Sequence, residues 1–229
     1  MVCSEVEVEE FAGDSAEARL QDLAWLGPRI CRHEAVIEEV MSRTAVLPAR
    51  FATLFTSVGA MKQSVLEHRE AITGFFAALG DKQEWAVKGL LHRSDALKGP
   101  GAPGRPEAKD HAAIMAPGTR YFLERRIKAQ WERDFNFRLQ EFCRRAAAAL
   151  GACTGGFRER RVLASAAAGT DAEVVLNWAF LISPAALEHF QALLEGLNGG
   201  GAFPGLTLAL TGPWPPYSFV PNFSDGAKA

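Results

Sequence analysis

One-sided apolar spacing over nearly thirty residues constrains this chain more than any other feature. Leu123, Ile127, Trp131, Phe135, Leu139, Phe142, Ala146 and Leu150 recur at steps of four or three. That period lines one face of an α-helix and no face of a strand. It predicts one helix over 120–150, roughly 46 Å long at about 1.5 Å per residue. A helix that long with a single apolar stripe has to be covered by a sheet or by another helix, in part coiled-coil fashion.

What can cover it follows from the flanking pattern. Downstream, RRVLASAA (160–167) and EVVLNWAFLI (173–182) read as paired strands. Ser183-Pro184 opens a helix whose Leu187, Phe190, Leu194 and Leu197 share a face, and LTLALT (206–211) alternates as a last strand. Upstream, helical spacing from Ser15 to Met41 is interrupted by Gly27-Pro28, which predicts two helices or one kinked helix. AVLPARFATLF (45–55) reads as extended, 60–79 as a helix stopped by Gly80, and EWAVKGLL (84–91) as a strand. Between the halves, KGPGAPGRPEAKDHAAIMAPG (98–118) is rich in Gly, Pro and Ala and reads as a mobile linker. The expected fold is α+β: two α/β domains of the ferredoxin-like, split βαβ type, with the long amphipathic helix leading into the second. The boundaries are 1–97 for the N-terminal domain, 98–118 for the linker, and 119–229 for the long helix plus a C-terminal ββαβ domain.

Several chemistries are excluded by what is missing. Gly99, Gly101 and Gly104 match G-x-G-x-x-G, but Pro100, Pro103 and Pro106 remove amide donors and no helix opens directly after them, so no dinucleotide site is expected. Cys3, Cys31, Cys143 and Cys153 are far apart, with no CxxC and no His at ligand spacing, so neither metal nor disulfide is expected. His33 has the spacing of a core-edge histidine bonded to backbone rather than a catalytic base. No nucleophile elbow, HExxH or Walker A loop occurs, and no catalytic residue is assigned. The acidic start and the absence of a long apolar run predict a cytoplasmic chain with no membrane span. Net charge is −2, although 120–150 holds eight basic against four acidic residues. Without a base-stacking platform that segment reads as a solvated basic face, and no nucleic-acid partner is expected.

The residues left for a binding or structural role are Arg50, Trp131, Phe135, Trp214, Tyr217 and Phe219. Arg50 lies inside the extended run and needs a carboxylate if buried, with Glu34 or Glu84 as candidates. Trp131 and Phe135 carry the helix stripe. In GPWPPYSFV (212–220) the prolines end the sheet at Gly212 and favour a polyproline turn of three residues, which puts Trp214 and Tyr217 on one face. That face is expected to dock on the C-terminal domain, with a partner surface as the other reading.

Five stretches together carry a family resemblance. HEAVIEEVM (33–41), VLPARFATLF (46–55), EWAVKGLL (84–91), NWAFLIS (177–183) and above all GPWPPYSFV resemble the gas vesicle accessory proteins of the GvpL/GvpF family. The resemblance covers nearly the whole chain. Ala49 and Ala52 stand where the family usually has a larger apolar residue and a Gly, which implies local repacking. MVCSEVEVEEF aligns with the end of the family's second strand, so about 35–45 residues and the first strand of the first sheet are expected to be absent. The resemblance implies a non-enzymatic assembly factor, without cofactor, that binds the hydrophobic shell subunit of the gas vesicle and other accessory proteins. A small-molecule-binding regulator is the alternative that the two sandwiches allow. An enzyme with an unseen motif is weakened by the missing nucleophile.

Overall fold

The computed structural model describes residues 1–12, 14–97, 117–162, 172–199 and 203–223. The chain divides into two compact units, Met1–Asp81 with Trp214–Ala229, and Lys82–Pro213. The G-x-G-x-x-G residues and nearly all of the expected linker lie outside the described residues. Its last two residues, Pro117 and Gly118, already open the long helix.

In the first unit the regular elements among the described residues before Asp81 are all helices. They form α1 (Val8–Phe11), α2 (Asp14–Gln21), α3 (Leu23–Met41), α4 (Val58–Glu67) and α5 (Arg69–Leu79). Pro28 does not break α3. The break comes earlier, where Asp22 caps the helix by accepting from the Ala24 amide at 2.9 Å. The expected helix over 60–79 is two, divided at His68, whose ψ of 16° leaves the helical range. Gly80 ends α5 at a φ of 54°.

The 45–55 run, read as extended with an edge or bulge proline, joins no sheet and is irregular chain with a turn. Pro48 is buried, the Ala49 carbonyl lies 3.0 Å from His33 Nε2, and Phe51 meets the rings of Phe11 and His33. The apolar residues therefore go into a small aromatic cluster, completed by Trp25 at 5.5 Å from Phe11, instead of a ladder. His33 holds a backbone carbonyl, as its spacing indicated.

The second unit contains β1 (Gln83–His92), α6 (Arg93–Ala96), α7 (Pro117–Gly151), β2 (Gly156–Glu159), β3 (Ala172–Ile182), α8 (Pro184–Gly199) and β4, which runs from Leu206 to Trp214 at the unit's boundary. Its sheet has the order β2-β3-β1-β4. β1 and β3 are antiparallel, with Gln83 opposite Ile182 and His92 opposite Ala172. The strand 84–91, assigned above to the first domain, is thus a central strand of this sheet. β2 lies upstream of the expected 160–167: Phe157 pairs with Phe180 and Glu159 with Trp178, while 163–167 fall outside the described residues. Two consecutive arginines make a poor strand start, and the ring of Phe157 packs against Phe180 at 5.1 Å.

One face of the sheet and two helices make the core. Val87, Leu176, Trp178 and Phe180 meet Phe135, Phe142, Ala146 and Leu150 of α7 and Phe190 and Leu194 of α8. The opposite face is also buried at Glu84, Ala86, Ala179 and Leu181. That is why 178–182 reads as a continuous apolar run rather than an alternation.

Candidate partner-binding surfaces

The tail is positioned by a backbone that only glycine fits. Gly212 has a φ of 140°, and a Cβ there would stand 3.0 Å from the Trp85 ring and 3.1 Å from the Glu84 carbonyl oxygen. Beyond it β4 continues to Trp214, because an edge strand tolerates Pro213, and a 3-10 turn follows at Tyr217–Phe219. The polyproline face is therefore not formed. Trp214 is 43% exposed, while Pro215 and Pro216 are buried and Tyr217 and Phe219 are half-buried.

Expected on the C-terminal domain, the tail instead belongs to the first unit. The Tyr217 hydroxyl donates to Glu34 of α3 at 2.8 Å, and Phe223 meets the His68 ring edge-on at 4.9 Å. Burial, then the Glu34 carboxylate, pushes the Tyr217 hydroxyl well above the ordinary tyrosine value. A hydrogen bond to a carboxylate is stronger than a neutral one, and α3 is the element that offers it. HEAVIEEVM, VLPARFATLF and the tail converge here: His33 holds Ala49, and Glu34 holds Tyr217.

Arg50 is exposed and makes no ion pair among the described residues. Its two candidate carboxylates are engaged elsewhere. Glu34 accepts from Tyr217, and Glu84, fully buried, pairs with Arg160 just past β2. The Arg50 side chain leaves the cluster that Phe51 enters, and Leu54, Phe55 and Val58 beside it in sequence are exposed at 44%, 46% and 57%. Sequence reasoning missed Arg160 because it placed β2 too late, which set Arg160 inside a strand rather than beyond its end.

Trp131 and Phe135 lie on α7, stacked with ring centroids 4.9 Å apart. Phe135 is buried in the core. The Trp131 indole N–H has no acceptor among the described residues. Beside Phe135 a cleft of about 440 Å³ opens between α7 and the sheet. Its apolar lining includes Leu139, Val175, Leu176 and Trp178, and its rim carries Arg93, Gln140 and Glu173. Arg93 Nε donates to Glu173 at 2.8 Å. Burial and then Glu159 push the Cys143 thiol on this wall above its ordinary value, which makes it a poor nucleophile at neutral pH. Among the described residues there is no cluster of His, Cys, Asp and Glu able to hold a metal, and no helix long and apolar enough to cross a membrane.

An antiparallel sheet covered by a long helix defines a mixed α+β protein. Solved structures share the fold. Gas vesicle protein GvpF from Microcystis aeruginosa matches with a TM-score of 0.56 at 21% identity, covering 89% of this chain and 80% of that one. GvpF from Anabaena sp. PCC7120 matches at 0.59 and 16% identity, covering 84% and 77%. The family model for gas vesicle synthesis protein GvpL/GvpF matches residues 1–221. Gas vesicle protein L of Streptomyces sp. (strain CB03234) is 31% identical over 214 residues, 91% of this chain and 76% of that protein. The chain belongs to the GvpL/GvpF family.

Proposed function

We propose that this chain is a non-enzymatic assembly factor that holds the hydrophobic gas vesicle shell subunit during nucleation or growth of the vesicle, in the cytoplasm and alongside other accessory proteins. The family match over 1–221 carries the reading. Within it, Lys82–Pro213 is read as a ferredoxin-like, split βαβ sandwich, and the cleft beside α7 is the surface we assign to the shell subunit. Its apolar lining residues suit one face of an amphipathic helix, and two of its three charged residues, Arg93 and Glu173, pair with each other.

The cleft volume of about 440 Å³ also falls in the range of small-ligand sites, which keeps the regulatory alternative testable in the same experiment. Gln140→Trp places a large side chain at the exposed rim, and Val175→Asp a charge in the lining. Both variants should keep the fold, checked by thermal melting, and lose capture of purified shell subunit. Full capture by both with unchanged melting would move the binding surface elsewhere. No capture by the unmodified protein, with a small molecule released on denaturation, would favour the regulator.

A further inference from the structure

Among the described residues, one side chain takes both outward backbone groups of Leu208 on β4. Edge strands present unpaired N–H and C=O groups that can recruit another strand, and proteins commonly blunt them with charge. No Lys, Arg, Asp or Glu occurs between Phe203 and Trp214, so this edge has no such protection. Its parity is readable from the hydrogen bonds. His92 N–H donates to the Gly205 carbonyl at 2.8 Å, so odd-numbered residues turn their polar groups toward β1 and Leu208 turns its own outward.

Both outward groups of Leu208 are taken by Asn198, near the end of α8. Asn198 Nδ2 donates to the Leu208 carbonyl and Leu208 N–H donates to Asn198 Oδ1, each at 2.8 Å. A side-chain amide has the donor and acceptor of a peptide group. It therefore reproduces the pair of bonds that a residue on a neighbouring strand would exchange with Leu208. Toward one end the Leu206 amide is bonded to the Phe203 carbonyl at 3.2 Å.

We propose that Asn198 is an edge guard, and that its occupant of Leu208 displaces the β4 of a second copy of this chain. Without the guard, two neutral β4 edges pair antiparallel and join two sheets into one. Thr207 is exposed, so a charge can be placed on the edge without entering the core.

The test is sedimentation of the full chain across a concentration series. Asn198→Ala removes both bonds and leaves the edge neutral, and it should self-associate about tenfold more tightly than the unmodified protein. Asn198→Ala with Thr207→Lys lacks the guard but is charged, and it should return to the unmodified behaviour. Hydrogen exchange should show the Leu208 amide protected in the associated Asn198→Ala protein and fast in the double variant. The proposal is overturned if Asn198→Ala melts lower without associating, which would make the pair of bonds structural only. It is equally overturned if Thr207→Lys leaves the association intact, or if Asn198→Ala does not fold while Asn198→Ser folds without associating.

Discussion

Ala52 holds a φ of 62°, the one non-glycine residue in the left-handed region among those described. An L side chain there crowds the following carbonyl, which glycine avoids. The resemblance marked 52 as a usual Gly position, and the backbone shows why a Gly fits. Ala52→Gly should raise stability by about 0.5–1 kcal/mol, read as a higher denaturant midpoint at unchanged slope. A lower midpoint would mean that the methyl group packs well enough to outweigh the strain. The buried pair gives the opposite kind of test. Arg160→Met removes the counter-charge of the fully buried Glu84 and should cost about 3–5 kcal/mol. Adding Glu84→Gln should recover part of that loss, and additive losses would show that the pair is not coupled.

At the scale of elements, the long helix, β1, β3, α8 and β4 were legible because each carries its own period over many residues. The edges of that reading failed for local reasons. A side-chain cap at Asp22 outweighed the proline signal, and VLPARFATLF has strand-like composition but spends it on an aromatic cluster. The tail is the clearest case: its aromatics predicted docking, but nothing in GPWPPYSFV names Glu34. Tyr217 ionisation tests that contact. Its pKa is raised in the folded state, so the stabilisation is fully present below the ordinary value of 10.0. As pH rises past that value the unfolded chain ionises first and stability falls. Tyr217→Phe should be less stable at neutral pH, by about 1–3 kcal/mol, and should lose this alkaline limb of the melting curve. An identical limb in both proteins would place the titration on another group.

For the whole molecule, the first unit is completed by residues more than 130 positions away in sequence, since Trp214–Ala229 cluster with Met1–Asp81. Ending the chain at Pro213 should therefore speed amide exchange in α3, where Glu34 loses Tyr217, and leave the β1 and β3 amides protected. Uniform loss of protection would show that the two units unfold as one. Unchanged exchange in α3 would show that the tail adds no stability there.

The sequence by itself determined the elements with a sustained apolar period and the family. Only the tertiary structure decided that Gln83–His92 is central to the sheet of the second unit, that Glu84 pairs with Arg160, that the tail closes on α3, and that Asn198 covers the β4 edge. The reason is the range of the forces involved. Periodicity is written by which face of an element avoids water, a property each segment carries alone. Strand order, ion-pair partners and edge contacts are set between segments far apart in the chain, where many pairings satisfy the same pattern and packing selects one.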